Sequence, residues 1–367
     1  MERKKYGFTT GCCAAAAAKA AAYMLLTGKK KNRISIMTPK GIVFETELLD
    51  IDRSEKSVSC AVRKDGGDDP DVTTGALVYA EVSIGWGQKR IIIEGGQGVG
   101  RVTKPGLDQP VGNAAINHVP REMIRKEVLE ICELADFKGS LQVEIRIPDG
   151  VRLAEKTFNK RLGIVGGISV LGTTGIVEPM STQALLDTIR TELQVVKASG
   201  QTMVAMAPGN YGMDYMKAAY GYDLDQSVKC SNFIGASIDM AVNLGFEKML
   251  LTGHIGKLVK VSGGMMNTHS GEGDCRMELM QSAGIKAGVP LPVLVQMGEC
   301  VTTQEAVRLL NDCGCLAQTM DIILEKAMYY LRRRATDRMQ IECIIYDNNL
   351  GELAESAGAF PLLQELR

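Results

Sequence analysis

The sequence predicts an α+β first domain followed by an α/β second domain whose mostly parallel sheet is covered by helices. Three observations point there. The 367 residues exceed one domain of ordinary size. Up to about residue 150, short runs of strand character outnumber helical ones. Beyond it, apolar runs alternate with helical stretches, the pattern of parallel strands and their crossovers. The predicted division is 1–150, 151–346, and a polar C-terminal tail with a short helix over 347–367.

In chain order, Arg3, Lys4 and Lys5 precede Gly7-Phe8-Thr9-Thr10-Gly11 and an alanine run. Thr9 or Thr10 caps a helix there, the alanines at 14–18 and 20–22 favour it, and Gly28 ends it. The basic start and apolar run mimic a signal peptide. The glycines and Lys19 interrupt that pattern, so export is not expected. Ile34–Thr38 and Ile42–Thr46 flank Pro39-Lys40-Gly41 as a hairpin. Strands are predicted at 58–62, 77–84, 90–93 and 141–147, with a helix over Arg121–Leu134. In the second domain, apolar runs stand at 162–170, 203–207, 233–234, 249–251, 292–296 and 341–346. Helical stretches lie at 182–197, 236–244, 305–311 and 320–333.

Composition narrows the function. The chain is 45% apolar and its 42 basic residues meet 43 acidic ones, for a net charge of -1. This excludes the basic excess of a nucleic-acid protein and the composition of a disordered one. No 18-residue apolar run predicts a membrane span. Ten cysteines without a Cys-x-x-Cys pair read as free thiols in a reducing cytoplasm. With three histidines, His118, His254 and His269, no metal site is expected. Glycine is enriched, at 40 residues, which places backbone in tight turns or close to a ligand.

Four segments carry candidate chemistry. The loop 166–175, with Gly166, Gly167, Gly172, Thr173, Thr174 and Gly175, is expected at the carboxyl end of a parallel strand, where glycines admit a nucleotide or nucleoside. An ordinary glycine-rich connection is the alternative, because the spacing is not Gly-x-Gly-x-x-Gly. Gly95–Gly100 leads to Arg101, Lys104 and Arg121, which suit a phosphate or carboxylate, or simply form a loop. Asp65, Asp68, Asp69 and Asp71 form either a cation site or a solvated acidic turn. From Gly253 to Arg276 runs the densest polar cluster. Here His254 or His269 is a general base, a carboxylate ligand, or a helix cap. Lys257 and Lys260 share a helical face toward an anion. No Ser-x-x-Lys or Gly-x-Ser-x-Gly arrangement supports acyl-transfer hydrolysis.

The ordered blocks Gly7-Phe-Thr-Thr-Gly, Asp68-Asp-Pro-Asp-Val-Thr, Gly98-Val-Gly-Arg-Val-Thr-Lys-Pro-Gly, Gly166-Gly-Ile-Ser-Val-Leu-Gly-Thr-Thr-Gly-Ile-Val-Glu-Pro-Met-Ser and Gly253-His-Ile-Gly-Lys-Leu-Val-Lys resemble the cobalt-precorrin-5B (C(1))-methyltransferase family of the anaerobic cobalamin pathway over about residues 6–280. The resemblance implies S-adenosylmethionine as methyl donor and carbon 1 of an anionic cobalt-containing tetrapyrrole as acceptor, with cobalt present only within the substrate. For that chemistry the donor is expected on loop 166–175, with Glu178 as ribose or ammonium partner, and the substrate carboxylates are expected to meet Lys104, Arg121, Lys257 and Lys260. A base such as His269 is expected to accept a proton as the macrocycle's double bonds rearrange. His118, and Gly271-Glu272-Gly273, depart from the family pattern. One cleft between unlike halves is the expected setting, and oligomerisation stays open. A small-molecule kinase, with Asp68 or Asp71 on magnesium, and a non-catalytic tetrapyrrole carrier are the alternatives.

Overall fold

The computed structural model describes residues 5–85, 90–157, 159–179, 181–222 and 227–366. Arg3, Lys4 and Met180, singled out above, lie outside the described residues. The chain divides into two compact units, Met1–Thr182 and Gln183–Arg367.

Unit 1 begins with β1 (Gly7–Phe8) and α1 (Thr10–Thr27), capped by the Thr9 side chain and ended by Gly28 in the left-handed region. α1 is long and apolar enough, by length and composition, to cross a membrane. Yet it is buried nearly all round, its alanines fully so, against α2 (His118–Leu134), β5 (Ser57–Arg63) and β6 (Leu77–Gly85). Small side chains permit that close packing, and Lys19 reaches Glu127 and Glu130 of α2. The hairpin β2 (Arg33–Met37) and β3 (Val43–Glu47) turns at 38–42 as the sequence predicts.

The main sheet of unit 1 has the order β4-β5-β6-β10-β7, with β4 (Leu49–Arg53), β7 (Ile91–Gly95) and β10 (Ser140–Arg146). Only β10 and β7 pair in parallel.

The remainder of unit 1 consists of short pieces. These are β8 (Gly98–Val99), β9 (Arg101–Val102), α3 (Gly150–Ala154), α4 (Asn159–Leu162), β11 (Ile164–Val165), β12 (Gly167–Ile168) and β13 (Ile176–Val177). β11 pairs with β9, β12 with β8, and β13 with β1. Residues 151–182, assigned from sequence to the second domain, thus pack within the first unit. The run 162–170 fails as one strand because glycines at 163, 166 and 167 break it into short pieces.

Unit 2 holds α5 (Thr182–Ala198), β14 (Met203–Ala207), α6 (Asn210–Tyr220), β15 (Val228–Lys229), α7 (Ile234–Asn243), β16 (Lys248–His254) and α8 (Ile255–Ser262). Then follow α9 (Arg276–Lys286), α10 (Leu291–Gly298), α11 (Thr303–Asp312), α12 (Leu316–Ala335), β17 (Gln340–Asp347), β18 (Gly351–Glu355) and α13 (Ala359–Glu365). The sheet order is β15-β14-β16-β17-β18, parallel except for β18. Met249 and Leu251 face a core with α7, α8 and α12, while Leu250 faces a second core with α6 and α13. Burial on both faces explains the unbroken apolar strands.

Three expectations change here. Residues 292–296 are helical in α10, because Pro292 sits in a first helical turn rather than a strand. Phe233 and Ile234 start α7, and the strand is the preceding β15. The supposed tail joins the sheet: Asp347 Oδ1 accepts from Asn349 N and Leu350 N, turning the chain back as β18.

The alanine face of α1 leaves no room for a larger residue. Ala17→Leu is expected to cost about 1–3 kcal/mol through overpacking, read as a lowered urea midpoint.

Candidate functional site

The family-like blocks of unit 1 converge on the start of α1. Thr9 N donates to Gly175 O at 3.1 Å and Gly11 N to Leu171 O at 3.1 Å. Thr10 Oγ1 exchanges hydrogen bonds with Leu171, and Phe8 N donates to Asp65 O at 2.8 Å. Loops 95–100 and 166–175 also meet: Gly100 N donates to Ile168 O at 2.9 Å, beside the β8–β12 pairing.

The glycines of loop 166–175 largely serve this packing. A Cβ on Gly167 would lie 2.1 Å from Gly98 O. Gly172, at φ +138°, would place one 2.2 Å from Thr9 Oγ1. Thr174 O accepts from Lys40 N, while Thr173 is exposed beside it. Glu178 is ion-paired with Lys40. The loop leaves β12, which pairs in parallel with β8 over only two residues, and its glycines there approach backbone of the same unit. Gly166 alone of these positions leaves open space around a Cβ and combines it with a positive φ.

Other predicted residues are also engaged. Arg121 donates to Ile116 O, Ile93 O and Ala114 O, so burial, which lowers its pKa, is offset by three carbonyls rather than by an anion. Lys260 is buried and donates to Gly273 O at 2.9 Å and Thr268 O at 3.4 Å, anchoring the loop that bears His269. His269 is exposed, with Nδ1 accepting from Gly271 N at 3.0 Å. Lys104 is exposed and donates to Arg161 O at 3.2 Å. In the acidic loop, Asp65 holds Lys5, Asp71 holds buried Lys64 and Thr73, and Asp68 accepts from Lys5 N. Among the described residues no group of three or more His, Cys, Asp or Glu side chains gathers as a metal site.

The carboxyl edge of the unit 2 sheet gathers chemistry from four strands. After β14 come Pro208 and Gly209; after β15 comes Cys230; β16 ends in His254 and β17 in Tyr346-Asp347. Open parallel sheets bind ligands at this edge. Lys257, in the first turn of α8, donates to Pro208 O at 2.7 Å, and burial lowers its pKa. Among the described residues no carboxylate pairs with it, so its other N–H groups suit an anion. Gly209 is extended, and a Cβ there would stand in open space. Cys230 is buried close to Lys257, with its thiol pushed up to about 12 by burial.

His254 caps α8, its Nδ1 accepting from Gly256 N at 3.0 Å. Its Nε2 stands 3.4 Å from Asp347 Oδ2, within ion-pair range but without hydrogen-bond geometry, so both buried atoms lack a hydrogen-bond partner. Burial pushes the His254 pKa below its usual value against the pull of Asp347. The ring lies edge-on to Tyr346, centroids 5.6 Å apart, and Tyr346 stacks on Tyr215 at 4.3 Å. With both nitrogens directed at protein groups, His254 presents no free base. Asp347, Gly209 and Tyr346 were missed from sequence. Their signal was position: each ends or follows an apolar run now seen as a parallel strand.

The CbiD family pattern matches residues 1–179, and that of the CbiD C-terminal domain matches 267–357. The cobalt-precorrin-5B C(1)-methyltransferase of Ruminiclostridium cellulolyticum is 43% identical over 370 residues, covering 100% of this chain and 96% of that protein. The protein of the same name from Thermoanaerobacter sp. is 42% identical, covering 97% of this chain and 96% of its own. That from Klebsiella pneumoniae is 41% identical, covering 84% and 80%. A crystal structure of cobalamin biosynthesis protein CbiD from Archaeoglobus fulgidus is 29% identical, covering 73% of this chain and 84% of that one, with a TM-score of 0.40.

The role of Arg121 as an internal brace is testable. Arg121→Met leaves three carbonyls without their charged donor, so unit 1 is expected to lose about 2–3 kcal/mol. Calorimetric melting is expected to show a fall of roughly 4–12 °C; unchanged melting contradicts the brace.

Proposed function

The chain belongs to the CbiD family, and from that premise we propose that it transfers a methyl group from S-adenosylmethionine to carbon 1 of cobalt-precorrin-5B, giving cobalt-precorrin-6A. The observation that carries this reading is kinship at 42–43% identity over 97–100% of the chain with methyltransferases of that name. The donor supplies a methyl carbon already activated by its sulfonium charge, so positioning replaces a nucleophilic side chain. Cobalt enters as part of the substrate.

The carboxyl edge of the unit 2 sheet is the proposed donor site. Its residues suit the donor's parts. Gly209 leaves room for backbone approach, and Lys257 has N–H groups for the donor carboxylate. The buried Asp347 carboxylate and the tyrosine stack favour cationic groups. Exposed Lys104 remains the proposed contact for a macrocycle carboxylate, whereas Arg121 and Lys260 are committed to backbone carbonyls. Of the two histidines, His269 is the one with a ring nitrogen not committed to a protein partner among the described residues, and it is the proposed proton acceptor.

Neither alternative gains support. The acids proposed for a kinase's magnesium are bound to Lys5, Lys64 and Thr73, and the relatives are named as methyltransferases, not carriers.

The deciding assay is anaerobic, with purified protein, S-adenosylmethionine and cobalt-precorrin-5B. The corrinoid is expected to gain the mass of one methyl; an unchanged mass contradicts the function. Two glycine variants test the placement. Gly209→Val is expected to melt like the parent but bind donor at least about tenfold more weakly by calorimetry. Gly172→Val meets Thr9 at a positive φ, so it is expected to lose more than about 2 kcal/mol of stability. Normal donor affinity in Gly209→Val contradicts the placement.

A further inference from the structure

Asp347 is 2% exposed, and a carboxylate so buried is costly unless its oxygens are satisfied. Oδ1 is satisfied by Asn349 N at 2.8 Å and Leu350 N at 3.2 Å. Among the described residues Oδ2 accepts no hydrogen bond, and it faces His254 Nε2 across the ends of adjacent strands β16 and β17. Because His254 Nδ1 accepts the Gly256 N–H, a neutral ring carries its proton on Nε2, toward the carboxylate. The ring is thus held by the α8 terminus, by Asp347 and by the edge contact with Tyr346.

Neither local job requires this pairing. Asn, Asp or Ser caps a helix at least as well as His. The turn after β17 uses only Oδ1 of Asp347. What the pairing adds is electrostatic: a neutral imidazole backed by an unneutralised buried carboxylate leaves the pair itself with one negative charge, on the same edge as the Lys257 ammonium. The donor has a sulfonium, an ammonium and a carboxylate, and so one net positive charge.

We propose that Asp347 is a positioning residue for donor selection: it orients His254 as the neutral Nε2–H tautomer, so that this wall of the site favours a sulfonium over an uncharged sulfur. The proposal rests on the reading that the carboxyl edge holds the donor. Asp347 acts through His254, because its own Oδ2 is shielded from solvent. The 3.4 Å separation is expected to shorten to a hydrogen bond when the donor binds, as such contacts tighten in complexes.

Calorimetry with S-adenosylmethionine and S-adenosylhomocysteine, which differ in the charge on sulfur, tests this on the full chain. Asp347→Asn keeps the Oδ1 turn and removes the charge. His254→Asn keeps a helix cap and removes the ring. Both variants are expected to lose about fivefold or more affinity for S-adenosylmethionine relative to S-adenosylhomocysteine. A parallel loss of both ligands, or of neither, overturns the proposal. Long-range proton–nitrogen NMR of the unmodified chain is expected to show the Nε2–H tautomer of His254; an Nδ1–H tautomer overturns it even where a variant fails to fold. A parent chain that binds neither ligand overturns the functional reading itself, and the proposal with it.

Discussion

A Cβ on Gly167 would lie 2.1 Å from the Gly98 carbonyl oxygen, and one on Gly7 would lie 2.1 Å from a backbone carbon of Gly66. Unit 1 depends on such backbone-to-backbone approach. In the β8–β12 ladder Gly167 lies against Gly98, and Gly7 of β1 lies against Gly66, so no side chain separates these backbones. The alanines of α1 extend the same constraint into the core, where the helix lies directly against β5, β6 and α2. At Gly7, Gly11, Gly67, Gly172 and Gly175 the glycines, which from sequence alone read equally as ligand approach, serve close packing around one helix terminus.

Unit 2 is built on a different constraint. Four parallel strands end together, and the polar groups beyond their ends must satisfy one another or a ligand. Lys257 ties the α8 terminus to Pro208 after β14, and His254 ties the end of β16 toward Asp347. Those ties are incomplete. Among the described residues Lys257 has N–H groups to spare, and the His254–Asp347 pair falls short of a hydrogen bond. Incomplete satisfaction at the carboxyl edge of a parallel sheet is what the proposed binding site for a zwitterionic cation requires.

The sequence made the fold legible where a local rule decides it. Thr9 capping, the alanine helix and the hairpin around residues 38–42 follow from propensity and turn chemistry. The helix over 121–134 and the strands 203–207 and 341–346 follow from periodicity. It misled where tertiary pairing decides. Residues 162–170 look like a buried strand but are broken by glycines and drawn into two separate ladders, which moves the division between units from about 150 to Thr182. Gly166–Gly175 looks like a ligand loop because a sequence does not show what its glycines touch. Arg121 and Lys260 look like anion contacts because carbonyl partners supplied by distant backbone carry no sequence signal. Asp347 was read as the start of a tail, since only the parallel register of β16 and β17 brings it to His254.

Hydrogen–deuterium exchange with and without S-adenosylmethionine distinguishes the two placements of the donor most directly. Protection is expected at the strand ends 208–210, 230–232 and 254–257 and at the turn 347–350, with loop 166–175 unchanged. Protection confined to 166–175 would contradict the account.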